Sequence, residues 1–174
     1  MVATLGSIGW PAIAAAQQHA HEAAAGAVPS SFEFFDQISA ADIAAIAAQI
    51  LPSNDGPGAA EAGVVFFIDR ALTTFDKDKQ DSYRKGIADL RAIARKMFPK
   101  SATIAALSDE QQLKSVRAIE KSEFFEVIRV HTVLGFLGSP AYGGNRGKAG
   151  WRHIGFEDRM SWAPPFGYYD AETK

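Results

Sequence analysis

From Ser39 to Gly138 the apolar residues recur every three or four positions, in blocks cut off by proline, glycine or a charged connector. That period belongs to helices with one buried stripe, and no run shows convincing strand alternation. Ser39-Ala-Ala-Asp42 has the spacing of a capping box and opens the block 43–51, which Pro52 closes. The turn cluster Ser53-Asn54-Asp55-Gly56-Pro57-Gly58 follows. A second helix then places Val64, Phe67, Ile68, Leu72 and Phe75 on one face. Val64 to Ile68 could be a buried strand taken alone, but its place inside a longer helical period argues for helix. Asp76 to Asp81 is a charged connector. A third stripe holds Tyr83, Ile87, Leu90, Ala94 and Met97 and stops at Pro99. Ser108-Asp109-Glu110-Gln111 is a second capping box, and Ser122 opens the last helix, which ends in Gly135 and Gly138. The prediction is an all-α fold, a compact bundle of four to five helices with a long irregular C-terminal segment.

The chain divides into a signal-like apolar segment and arm (1–30), a helical domain (31–137) and a tail (138–174). The tail holds Tyr142, Trp151, Phe156, Trp162, Phe166, Tyr168 and Tyr169 among six glycines from Gly143 to Gly167 and the prolines Pro140, Pro164 and Pro165. Seven aromatics in an irregular segment must be buried against something, and a long loop without regular structure usually serves an interaction.

At 174 residues the chain is long enough for one domain with a real core. Its net charge of −2 leaves no electrostatic footprint for nucleic acid. The charge is uneven: residues 1–69 carry seven acids and no Lys or Arg, the first base being Arg70. Such asymmetry suggests two surfaces of opposite sign or a segment packed on something outside the domain. Without cysteine there is no disulfide, no Cys-ligated zinc, no iron–sulfur cluster and no thiol nucleophile. The apolar stretch Val2 to Ala16 is too short for a membrane-spanning helix, which needs about 20 residues. It matches the apolar core of an export signal, without the basic residues that normally precede one.

Residues that could carry chemistry are few. His131 falls on the apolar face of the last helix, three residues after Ile128. It reads first as a hydrogen-bonded core histidine, with Arg129 beside it on the same helix, and second as a buried acid or base. Tyr142 to Lys148 looks like a phosphate loop, but Gly147-Lys148-Ala149 lacks the Ser/Thr and is expected to precede no helix. Asp76-x-Asp78 begins like a calcium loop, but position six is Asp81 and position twelve is Ile87. His19-x-His21-Glu22 could ligate a metal only weakly. The residues alone point to a helical domain that binds a partner protein and has no active site of its own.

Three stretches resemble the gluconate 2-dehydrogenase subunit 3 family. The first is Leu51-Pro-Ser-Asn-Asp55-Gly-Pro-Gly58 followed by Ala62-Gly63-Val-Val-Phe-Phe-Ile-Asp69. The second is Phe124-Phe125 with Arg129-Val-His131-Thr132 and Gly135-Phe136. The third, and most specific, is Ser139-Pro140-Ala-Tyr142-Gly143-Gly144-Asn145-Arg146 with Gly150-Trp151 and Ile154-Gly155-Phe156. Together they span about residues 35–157. The closing Pro164-Pro165-Phe166-Gly167-Tyr168-Tyr169-Asp170 is similar to the branch paired with glucoside 3-dehydrogenases.

The resemblance implies a small, non-catalytic subunit with no cofactor of its own. It would stabilise a large FAD-dependent dehydrogenase of the glucose–methanol–choline (GMC) type. That partner would oxidise a sugar hydroxyl, such as the C3 position of a glucoside, and pass electrons to a cytochrome c subunit or a soluble acceptor. Family members can carry a twin-arginine export signal; here no arginine precedes Arg70. The implied location is periplasmic, with the cytoplasm as the alternative. The expected partner anchors are Tyr142, Asn145, Arg146, Trp151, Trp162, Phe166, Tyr168 and Tyr169, since aromatics and Arg dominate interfaces. The alternative is a self-sufficient small enzyme using His131 with Arg129 or with Arg152 and His153.

Overall fold

The computed structural model describes residues 31–159 and residue 161. Among these the chain is all-helical. The α-helices are α1 (Gln37–Ile50), α2 (Val64–Thr73), α3 (Gln80–Met97), α4 (Asp109–Arg117), α5 (Glu123–Leu137) and the short α6 (Ala149–His153). Single 3-10 turns lie at Lys77–Lys79, Pro140–Tyr142 and Arg146–Lys148. Val2 to Ala16, His19 and His21, and Trp162 to Tyr169 lie outside the described residues.

Local capping sets several boundaries. Ser108 and Gln111 make the reciprocal capping box of α4, and the Ser122 hydroxyl accepts from Phe125 N at 3.1 Å to open α5. α1 starts earlier than the Ser39–Asp42 spacing suggests. Its cap is Asp36, whose carboxylate accepts from Ser39 N at 2.6 Å. Asp42 lies inside the helix, fully buried, where it accepts from Arg91 Nε at 2.6 Å and Ala105 N at 2.8 Å. A buried carboxylate can stay there because both the guanidinium and the backbone amide satisfy it. Gly135 does not end α5; the helix runs through it to a cap at Gly138.

The core forms where the helical stripes meet. α2 packs chiefly on α5, and α1 bridges α2, α4 and α5. Ile43, Ile46, Ile68, Leu72, Leu90, Ile104 and Ile128 are fully buried between them. On α3, Tyr83, Ile87, Leu90 and Ala94 are buried as the stripe requires, while Met97 is exposed. Phe75, expected on the α2 face, lies beyond the helix end and is exposed.

Gly86 interrupts α3 for a packing reason: a Cβ there would lie 2.1 Å from the Phe124 ring. Gly86→Ala gains about 1 kcal/mol of helix propensity but must displace a buried ring, which costs more. The expected result is a net loss of about 1–2 kcal/mol in urea unfolding; a gain in stability would contradict this packing.

Candidate functional site

His131 is buried on α5 between two partners brought from α3 and from the connector after α2. Its Nδ1 lies 2.8 Å from Tyr83 Oη and its Nε2 3.1 Å from an Asp76 carboxylate oxygen. The Asp76 carboxylate accepts, so Nε2 carries the proton, and Nδ1 accepts from the Tyr83 hydroxyl. Tyr83 is fully buried and its ring stacks on the imidazole at 5.7 Å between centroids. Burial, with the Asp76 charge, pushes the Tyr83 hydroxyl well above its ordinary value of 10.0, so it stays protonated.

Burial also holds His131 below its ordinary 6.5, against the opposing pull of Asp76. The neutral ring is therefore the native form. As pH falls below about 6.5 the unfolded chain takes up a proton that the folded chain refuses, so stability drops until the lowered folded value is passed. Tyr83→Phe removes the donor to Nδ1, leaves a buried acceptor unpaired and costs about 1–2 kcal/mol. Imidazole NMR of that variant is expected to show His131 titrating at higher pH than in the wild type. Unchanged titration would mean that Tyr83 does not hold the neutral ring.

Arg129, one residue before Val130 on the same helix, is exposed and forks the Glu126 carboxylate at 2.6 and 3.0 Å. Such surface pairs contribute little to stability.

The segment after α5 does not hang free. Asn145 ties it down. Its backbone N donates to Gly135 O at 2.7 Å, its Nδ2 donates to Gly138 O at 2.9 Å, and its Oδ1 accepts from Gly150 N at 2.9 Å. It is fully buried and left-handed, at φ 46°. Asn145, expected among the partner anchors, is thus an internal tie that presents no side chain at the surface. The glycines serve the same docking. A Cβ on Gly144 would lie 2.2 Å from Gly135 O, and one on Gly150 would lie 2.0 Å from Phe136 O. Contrary to expectation, Lys148 is followed at once by a helix, α6. It has no strand before it, and Gly143 and Gly144 pack against the chain's own carbonyls, so the loop is no phosphate cradle.

Arg146 lies across the Phe66 ring, its guanidinium carbon 3.5 Å from the centroid, and Phe32 stacks on Phe66 at 5.0 Å. Its backbone N donates to Ala62 O at 3.0 Å. Gly63, at φ 64°, gives it room, for a Cβ there would meet Arg146 Cδ at 2.5 Å. Arg146 is half-buried, and desolvation lowers its pKa from the ordinary arginine value. Tyr142 is exposed and meets Phe75 edge to face at 6.2 Å. Trp151 is half-buried, donates Nε1 to Leu137 O at 2.6 Å and touches the exposed Phe156 at 5.1 Å. So Tyr142, Arg146 and Trp151 keep faces at the surface; Trp162, Phe166, Tyr168 and Tyr169 lie outside the described residues.

A second apolar surface emerges only in the folded chain. Val130, Val133, Leu134 and Leu137 are all exposed on α5, at the i, i+3, i+4, i+7 spacing of one face. The opposite face buries Phe124, Ile128, Thr132 and Gly135. The available signal was the absence of a polar face in the helix's second half.

A cleft lined by Asp55, Glu61, Arg146, Arg152 and His153 opens between the α1–α2 turn cluster and α6. Glu61 is already held there by Ser53 Oγ at 2.6 Å and Gly58 N at 2.9 Å, and Arg152 by the Gly147 carbonyl. His131 lines neither this cleft nor the cavities beside Met97, Phe34 and Phe66. Among the described residues no group of three His, Asp or Glu could hold a metal ion, and no helix is long and apolar enough to cross a membrane. The family model for gluconate 2-dehydrogenase subunit 3 matches residues 36–158. No curated protein and no solved structure matches the chain.

Proposed function

We propose, from the premise that the chain belongs to the gluconate 2-dehydrogenase subunit 3 family, that it is the non-catalytic small subunit of an FAD-dependent sugar or glycoside dehydrogenase. The observation that carries this reading is the family match over residues 36–158, which includes every helix among the described residues. Membership implies partnership with a larger dehydrogenase complex. In our reading the partner is a GMC-type flavoprotein that holds the FAD, oxidises a sugar hydroxyl such as the glucoside C3 position, and hands electrons to a cytochrome c subunit or a soluble acceptor. Two features of this chain support the division of labour. Among the described residues, its buried titratable side chains are satisfied within the fold, His131 by Tyr83 and Asp76, and Asp42 by Arg91. Its described residues form no strand on which a dinucleotide-binding βαβ unit could be built.

The small subunit would then act by stabilising the large one and accompanying it to the periplasm. The apolar stretch from Val2 to Ala16 is in keeping with export. The test is size-exclusion chromatography of the full chain, tagged and co-expressed with the GMC-type flavoprotein encoded nearest to it, while protein and flavin absorbance are recorded together. Co-elution of both signals in one larger species is the expected result. A stable, colourless chain running alone would overturn the subunit reading and return His131 as a candidate for chemistry.

A further inference from the structure

The outer face of α5 is the strongest unexplained surface. A helix that is apolar all round belongs in an interior. The second half of α5 is such a segment: one face is filled by the chain's own α1, α2 and α3, and the other is open. Leu134 is 47 % exposed and Val133 41 %, in a stripe that continues at its C-terminal end into Trp151 and Phe156 through the Trp151–Leu137 hydrogen bond. Soluble monomers rarely leave so ordered an apolar surface uncovered.

We infer that this stripe (Val130, Val133, Leu134 and Leu137, extended by Trp151 and Phe156) docks on an uncharged, apolar surface of the catalytic dehydrogenase subunit. The inference rests on the subunit reading above and adds the face and the chemistry of contact. Three observations select this occupant. The charged side chains at the two ends of the stripe are already neutralised within the chain, Arg129 by Glu126 at 2.6 Å and Lys148 by Asp158 at 2.8 Å. An approaching surface therefore meets no unpaired charge from either of these side chains. The chain also continues past Phe156 into a sequence that holds Trp162, Phe166, Tyr168 and Tyr169, so the aromatic content rises along the chain from the patch towards its end. Finally, the family is one of subunits, which supplies a second protein rather than a second copy as the covering surface. Leu134 and Leu137 at the centre would be the desolvated anchors, with Trp151 at the edge.

The test uses the full chain co-expressed with the GMC-type flavoprotein encoded nearest to it, in three forms: wild type, Leu134→Glu, and Met97→Glu. Met97 is a fair control, being 40 % exposed at the far end of α3. The expected result is that wild type and Met97→Glu retain the flavoprotein equally, while Leu134→Glu weakens retention at least about tenfold. Circular dichroism should show the same helical content in all three. Should Leu134→Glu not fold, Val133→Ser, a milder change on the same stripe, takes its place with the same expectation. A second readout needs no variant: because the contact is apolar, wild-type retention should hold or strengthen between low salt and about 1 M salt. Wild-type retention with undiminished binding by the stripe variants overturns the inference and leaves the subunit reading intact. So does loss of retention in high salt, or a wild-type chain that self-associates through the stripe while the flavoprotein binds elsewhere. Failure of the wild type to retain the flavoprotein overturns the subunit reading, and this inference falls with it.

Discussion

Asn145→Ala is expected to remove about 4 kcal/mol of stability and to release the segment from Gly138 to Phe156. Three effects act together at this position. The Gly138 carbonyl loses its donor from Nδ2 and the Gly150 N–H loses its acceptor at Oδ1. Each orphaned buried group costs about 1–3 kcal/mol. The φ of 46° adds about 1 kcal/mol for a residue with a Cβ and no side chain to bond locally. Asn145→Gly separates the terms, since it relieves the left-handed strain and restores neither hydrogen bond. It is expected to be more stable than Asn145→Ala by about 1 kcal/mol and still well below wild type. Against a total of about 5–15 kcal/mol for a domain, the alanine variant is close to the unfolding threshold. Denaturant unfolding and limited proteolysis within 138–156 measure both parts of the prediction. Proteolysis unchanged from wild type would mean that the close packing of Gly144 and Gly150, and not Asn145, holds the segment.

Asp69→Ala is the second large effect. One carboxylate on α2 receives three consecutive backbone N–H groups, from Glu33 at 2.8 Å, Phe34 at 3.0 Å and Phe35 at 3.0 Å. Hydrogen bonds to a charged acceptor are stronger than neutral ones, and Phe35 belongs to the core. Alanine leaves all three amides without a partner, for an expected loss of about 3–5 kcal/mol. The run from Ser31 to Asp36 would peel from α2 and uncover the Phe32–Phe66 stack. Hydrogen exchange is the direct readout, with amides 33–35 losing protection before the rest of the fold. Asp69→Asn keeps one carbonyl oxygen for Phe34 and Phe35 and turns an amide towards Glu33 N, so it should lose about half as much. Amides 33–35 exchanging as slowly as in wild type would show that the core contacts of Phe35 alone anchor the arm.

The helices that were easiest to read are those with short-range signals. Ser108 with Gln111 and Ser122 with Phe125 N lie within one turn of each other, so the four residues concerned determine the boundary. The α1 start was misplaced because Ser39 and Asp42 have the spacing of a cap, while Asp36 does the capping and Asp42 is needed inside by Arg91 and Ala105. The α6 helix was missed because it has only five residues between glycine-rich turns, too few to show a period. At the candidate site, Tyr142 and Trp151 are expected as anchors from residue type alone, and the fold leaves a face of each at the surface. Asn145 has the composition of an interface residue and the position of a core one. Nothing local distinguishes the two, because its ties run back to Gly135 and Gly138 and forward to Gly150.

The sequence by itself determined the all-helical class, most helix boundaries and, through its motifs, the family, since each depends on residues close together in the chain. Tertiary structure alone decided which polar groups are internal and which apolar face stays open. Asp69 meets its partners 34 to 36 residues away, and His131 meets Tyr83 48 and Asp76 55 residues away. Such pairings depend on how helices cross, which no local period encodes. In α5 the first half marks the outer side with Glu123, Glu126 and Arg129, but Val130 to Leu137 carries no charge that would continue that face. Only its packing on α1, α2 and α3 leaves Val130, Val133, Leu134 and Leu137 facing out.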